Sequence, residues 1–266
     1  MSVKTGTPVV TNMSDRLQTA ILAAKAGAQE ALKYFDKNPQ VTLKPDNTPV
    51  TQADKNSEAA IIRTVKDKFP DAKFLGEESG GDKNEKELWV IDPIDGTKNF
   101  IRGLPFWGIL IAYVVDDKPV IGVSYMPVFD ELLAAEVGFG TTRNGEKIHV
   151  SEVDNVKDSF INHGTLSVKY YDGNLQNMID LCALASHERG FGDCYGYNLV
   201  AKGKADIMFD AQNGPWDIAP YKVIIEEGGG KLTNFAGVEW TLNDPDALAT
   251  NGTVHNEVVA LVNKKK

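Results

Sequence analysis

Cysteine is scarce in this 266-residue chain, which has only Cys182 and Cys194. Two such residues give no disulfide framework, so both are expected reduced and partly buried, as in a cytosolic protein. Histidine is nearly as sparse: His149, His163, His187 and His255 are scattered, and there is no Cys-x-x-Cys pair. A zinc centre built on His and Cys is therefore not expected. No apolar run approaches the ~18 residues that span a bilayer. Residues 1–12 lack a charged start followed by an apolar core, so no signal peptide is read and the cytoplasm is the expected compartment. Positive charge is also in deficit, with 28 Lys and Arg against 37 Asp and Glu, net −9. That argues against nucleic-acid binding, which needs a basic face, and suits either solubility or carboxylates gathered for metal binding. Phosphate-binding loops are missing too. No Gly-x-x-x-x-Gly-Lys-Ser/Thr occurs, residues 138–143 lack the third glycine of a dinucleotide loop, and residues 122–126 lack the second glycine of a nucleophile elbow.

What remains is ordinary globular material, 42% hydrophobic and 24% charged, with ample length for a buried core. One domain spanning 1–266 is expected, built of two packed halves, 1–150 and 151–266. The polar stretch 151–157, which has no hydrophobic period, marks the seam. Residues 14–35 read as an amphipathic helix capped by Ser14, with Leu17, Ile21, Ala24, Ala28, Ala31 and Leu32 on one face. Residues 41–49 read as a short strand and a turn-rich loop. Thr51 opens a second helix that Pro70 stops. A short strand at 74–75 ends at Glu77 and Glu78, and 88–91 is a buried strand with 92–97 as its terminal turn. Residues 107–115 and 120–125 flank a turn and form a hairpin, followed by a strand at 131–136. In the second half strands are expected at 160–163 and 205–209, and helices at 173–184, 196–202, 216–227 and 254–262. This mixture is an α/β or α+β layered class.

The chemistry concentrates in Trp89-Val90-Ile91-Asp92-Pro93-Ile94-Asp95-Gly96-Thr97-Lys98-Asn99-Phe100. In a regular strand Asp92 and Asp95 face opposite sides. The Pro93-Ile94 step and Gly96 are expected to break the strand so that both carboxylates converge. Converging Asp and Glu oxygens suit Mg²⁺, which takes one or two carboxylates, waters and substrate phosphate oxygens. Asp-Pro and Asp-Gly are also common turn formers. Gly96 and Thr97 can present N–H groups to an anion at a helix start. Glu77 and Glu78, at the preceding strand end, either form a solvated corner or complete a two-cation site, in which cations activate water and hold the leaving oxygen. Asp54 and Asp217 each read equally as a first-turn helix acid or as a functional group. Lys44, in the loop 44–49, reads as a solvated charge.

Together, Gly76-Glu77-Glu78-Ser79, then Asp92-Pro93-Ile94-Asp95-Gly96-Thr97, then Trp216-Asp217 ahead of Glu226-Glu227-Gly228-Gly229 resemble the inositol monophosphatase superfamily, over nearly the whole chain. The resemblance implies a layered αβαβα fold and a Mg²⁺-dependent, lithium-sensitive phosphatase with two to three cations per site, Mn²⁺ being a possible substitute. It implies a homodimer acting on a small phosphorylated metabolite. Glu77, Asp92 and the Ile94 carbonyl resemble ligands of a first cation, and Asp92, Asp95 and Asp217 those of a second. Glu77 would help hold a third. Thr97 paired with Asp54 resembles the group that orients the attacking water, and the Gly96 and Thr97 amides the phosphate site. Glu78 and Lys44 would stand behind these, and Asp210 would contact a substrate hydroxyl. Residues 44–51, 96–103 and 189–193 are similar to the histidinol-phosphate phosphatase branch, where Asp193 and Asp210 would meet a cationic amino-alcohol. Inositol phosphate and fructose bisphosphate are the alternative substrates. Relatives of this fold can also act as protein-interaction partners without catalysis, against which the intact acidic set argues. Two departures stand out: Pro220 and Tyr221 replace small residues, and Asp210 replaces Glu.

Overall fold

The structure is a computed structural model that describes residues 13–37, 41–43, 49–171 and 173–264. In chain order the first half comprises α1 (Asp15–Ala31), β1 (Val41–Leu43), β2 (Pro49–Thr51), α2 (Gln52–Lys68), β3 (Phe74–Gly76), β4 (Glu87–Asp95), α3 (Thr97–Phe100), β5 (Gly108–Val115), β6 (Lys118–Met126), β7 (Glu131–Glu136), β8 (Gly140–Arg143) and β9 (Glu146–Lys147). Then follow β10 (Phe160–His163), α4 (Leu175–Leu184), β11 (His187–Arg189), α5 (Asp193–Ala201), β12 (Ile207–Ala211), α6 (Pro215–Glu227), β13 (Lys231–Thr233), β14 (Asp246–Thr250) and α7 (His255–Val262).

Two sheets carry the fold. One has seven strands in the order β3-β4-β5-β6-β7-β8-β9, the other five in the order β11-β10-β12-β14-β13. The seven-stranded sheet is antiparallel except for the β3–β4 pair, whereas β10, β11 and β12 run parallel. β4 and β5 are buried on both faces, which is why they read as unbroken apolar runs rather than alternating ones. Trp89, Ile91, Ile109 and Ile111 pack towards α1 and α2, against Leu17, Ala24, Ala28 and Ile61. Leu88, Val90, Leu110 and Ala112 pack the other way, against Ile218, Tyr221 and Ile224 of α6 and Val200 of α5. On the far side of the second sheet, Met178 and Leu181 of α4 and Val258 and Val262 of α7 cover Ile207, Phe209 and Leu248. The layers are therefore helix, sheet, helix, sheet, helix, with α5 and α6 between the sheets.

The helix starts follow their capping residues. Ser14 accepts from Leu17 N at 3.1 Å, and Thr51 accepts from Ala53 N at 3.0 Å. The first helix is shorter than the apolar period predicts. It ends at Ala31, whose carbonyl takes Tyr34 N and Phe35 N in tightening turns before Asp36 enters the left-handed region (φ 58°).

The larger correction concerns β4. The predicted break at 92–97 does not occur there: the strand runs through Pro93 and Ile94 to Asp95. Asp92 pairs with Leu110 and Asp95 with Gly108, so three steps on β4 match two on β5. This is a β-bulge. The extra residue resets the alternation and returns Asp92 and Asp95 to one face. Pro93, which has no N–H for the ladder, is tolerated at such a place.

Candidate active site

Asp92, Asp95 and Asp217 meet where the bulge faces the start of α6. One carboxylate oxygen from each lies within 4.8 Å of the other two. The protein itself orients these groups. Asp92 Oδ1 accepts from Ile94 N at 2.9 Å, Asp95 Oδ2 accepts from Cys194 N at the start of α5, and Asp217 Oδ2 accepts from Gly214 N at 2.6 Å. Asp217 thus serves as the acid that caps α6 while facing the cluster, so the two readings open for it in the sequence are compatible. Gly96, at φ 82°, turns the chain out of β4 into the four-residue α3. A Cβ there would lie 2.8 Å from the Phe106 carbonyl, so only glycine fits.

The cluster lines a cavity of about 230 Å³, together with Glu77, Asp193, Asp210, Gly96, Thr97 and Lys98. Six carboxylates thus face one cation, Lys98, among the described residues. Burial and mutual repulsion push their proton affinities up. Asp92 and Asp95 are raised well above the usual carboxylate range, by burial first and then by neighbouring charges: Glu77 and Asp217 for Asp92, Asp193 and Asp217 for Asp95. Asp217 is raised to about 7 by burial and then by the charges of Glu77 and Asp193. Asp210 is raised to about 8 by burial and by Asp193.

Such a cluster is unfavourable alone and suited to a cation. Its donors are all oxygen. In an octahedral shell at Mg²⁺–O distances near 2.1 Å, neighbouring oxygens lie about 3 Å apart and opposite ones about 4.2 Å. Carboxylates within 4.8 Å of one another need little movement to adopt that spacing. The donor set fits Mg²⁺.

Asp193 accepts from Asn99 Nδ2 at 2.9 Å, which ties α5 to α3. Asp210 Oδ1 accepts from Ala211 N at 2.8 Å. Its carboxylate occupies the space where a Cβ on Gly164 would sit, at 2.0–2.1 Å, so glycine at 164 is what admits Asp210.

Other predicted positions behave differently. Glu77 lines the cavity, and its amide bonds to the Ile91 carbonyl at 3.1 Å. Glu78 N donates to Glu58 Oε2 at 3.1 Å, linking the β3 end to α2. Asp54 caps α2: its Oδ2 accepts from Thr51 N and Oγ1, both at 2.7 Å, while its buried Oδ1 has no hydrogen-bond partner. Thr97 Oγ1 donates to the Ile94 carbonyl at 2.9 Å, so a Thr97–Asp54 hydrogen bond is not formed here. Lys44 lies outside the described residues. Lys98, Cys194, Tyr197 and Thr165 also line the cavity. Of these only Lys98 had a signal in the sequence, its place within the Asp92–Phe100 run.

The sequence model of the inositol monophosphatase family matches residues 12–266. A histidinol-phosphatase of Chlorobaculum parvum is 35% identical over 94% of this chain and 97% of its own length. A fructose-1,6-bisphosphatase/inositol-1-monophosphatase of Thermotoga maritima is 34% identical over 81% and 82%. Among solved structures, an IMPase of Thermotoga maritima superposes with a TM-score of 0.86 at 31% identity, over 94% of this chain and 97% of that one. The suhB extragenic suppressor protein of Bartonella henselae gives 0.88 at 27% identity, over 95% and 100%. Fold and acidic site together define a phosphoric-monoester hydrolase. The chain belongs to the inositol monophosphatase family, whose phosphatases depend on metal.

Proposed function

We propose that this phosphatase hydrolyses L-histidinol phosphate with Mg²⁺ as its cofactor. The observation that supports the substrate is the surplus of carboxylate in the cavity. Three carboxylates form the cluster, and two more, Asp193 and Asp210, line the same cavity, where they would meet the ester's alcohol. A cationic amino-alcohol offsets that second negative charge. The histidinol-phosphatases of Chlorobaculum parvum and Mycobacterium tuberculosis, 35% and 34% identical, support the same reading.

Glu77, Asp92 and the Ile94 carbonyl would hold one Mg²⁺, and Asp92, Asp95 and Asp217 another, with Glu77 also serving a weaker third. Bound there, Mg²⁺ supplies charge stabilisation and acidifies water. The chain's own contribution is positioning. The bulge sets Asp92 and Asp95 on one face, and the Gly96 and Thr97 amides receive phosphate oxygens. To take up the water-orienting role with Asp54, whose Oδ1 stands without a partner, Thr97 would release the Ile94 carbonyl.

A rate comparison tests the substrate. L-Histidinol phosphate should exceed inositol 1-phosphate and fructose 1,6-bisphosphate in kcat/KM by at least about tenfold. Equal or faster hydrolysis of inositol phosphate rejects the choice in favour of the reading that the Thermotoga maritima relative's name suggests.

A further inference from the structure

The cavity also holds a buried polar group to which none of these roles applies. Tyr197, on α5, lines it beside Asp210 and Asp217. The residue is 2% exposed, and its hydroxyl has no hydrogen-bond partner among the described residues. Its ring is held in place, stacked on Tyr221 with centroids 4.8 Å apart and planes 21° from parallel. Tyr221 is anchored in turn: its hydroxyl lies 2.8 Å from Ser124 Oγ, 2.9 Å from Asn198 Oδ1 and 3.1 Å from the Cys194 carbonyl. The large residue at 221, a departure from the family pattern, thus acts as a backing plate for Tyr197. Burial first, and then the charges of Asp210 and Asp217, push the Tyr197 hydroxyl's proton affinity up, so it stays a donor. Tyr171, also 2% exposed and without a hydroxyl partner, feels Asp210 most strongly as well.

A buried hydroxyl without a partner is unfavourable in the free enzyme, and a ligand acceptor relieves it. We propose that the Tyr197 hydroxyl is a specificity-determining donor that hydrogen-bonds an acceptor on the ester's alcohol, a ring nitrogen or hydroxyl oxygen, beside the group that Asp210 receives. The substrate class is then a phosphate ester whose alcohol carries both a donor and an acceptor, and this inference rests on the phosphatase reading. Phenyl phosphate, whose leaving group has no such acceptor beyond the ester oxygen, gains nothing from the hydroxyl.

The test compares wild type with Tyr197→Phe on L-histidinol phosphate, inositol 1-phosphate and phenyl phosphate, with Mg²⁺ present. The variant should lose about five- to tenfold more kcat/KM on the preferred polar ester than on phenyl phosphate. The Ki of the corresponding free alcohol as a competitive inhibitor should rise by a similar factor. Its thermal midpoint should equal or exceed that of wild type, because the removed hydroxyl was unpaired. A uniform loss on all three esters, or a midpoint lower by several degrees, overturns the proposal by showing that the hydroxyl serves the fold. A wild type inert towards every ester removes the phosphatase reading and this proposal with it, whereas an active wild type with a uniform loss removes only the role of Tyr197.

Discussion

The two sheets furnish the cavity in opposite ways. The seven-stranded sheet delivers its groups from neighbouring strand ends: Glu77 after β3, Asp92 and Asp95 on the β4 bulge, Gly96 and Thr97 immediately after. The five-stranded sheet and its helices deliver theirs from three separate places: Asp193 at the start of α5, Asp210 on β12 and Asp217 at the start of α6. The first arrangement is short-range and set by local backbone geometry. The second exists only once the layers pack. Chemistry common to a family suits the first together with Asp217, and recognition of a particular alcohol suits Asp193 and Asp210 of the second, because loops and helix starts change without disturbing a central strand.

Substitution of one acid from each region should separate the two most sharply. Asp95→Asn should lower kcat/KM by about 10³-fold on every ester, since it removes a carboxylate that would hold the Mg²⁺ that stabilises phosphoryl charge. The same change should leave the metal-free fold intact or slightly more stable, because one of several mutually repelling buried carboxylates is gone. Steady-state rates with and without Mg²⁺, alongside thermal melts, check both parts. Full activity in this variant would break the comparison at its strongest point.

The uneven legibility of the sequence follows the same division. The Asp92–Thr97 run announced its chemistry because its residues are contiguous, yet its backbone was misjudged. Proline and glycine suggest a broken strand, and only pairing with β5 shows that one inserted residue keeps the strand and turns Asp95 to the face of Asp92. β14, with the sequence Asp-Ala-Leu-Ala-Thr, has little strand propensity and was not predicted. It is held by antiparallel partners on both sides, β12 and β13. Tyr197 was invisible for a related reason. An aromatic on a helix reads as core, and its unpaired hydroxyl becomes evident only when α5 meets the site. Gly164, by contrast, is explained only by the Asp210 carboxylate that takes its place.

Asp210→Asn should give a smaller, selective loss. We expect about 10- to 100-fold on L-histidinol phosphate, where a charge-assisted bond to the amine is lost, and less on phenyl phosphate. Competition assays with the two esters in one mixture measure the ratio directly. An equal loss on both would place Asp210 in the phosphoryl chemistry rather than in recognition of the alcohol.

The weakest effect probes whether Asp210 is electrostatically distinct from the acidic cluster. Asp217, raised to about 7, and Asp210, raised to about 8, bind protons in the folded state that the unfolded chain, with aspartate near its ordinary 3.8, has already released. In metal-free protein the folded state therefore holds more protons between about pH 4 and 8, and its stability falls as pH rises through that window. The expected change between pH 6 and 8 is about 3–8 °C in thermal midpoint for a chain of this size. Mg²⁺ binds ionised carboxylates, so it should stabilise more at pH 8 than at pH 6 and flatten the part of the curve that Asp92, Asp95 and Asp217 produce together. The part that Asp210 contributes should persist in Mg²⁺ and disappear in Asp210→Asn. Were Mg²⁺ to flatten both parts, the six carboxylates would be one electrostatic unit, and Asp210 would not respond to charge separately from the cluster.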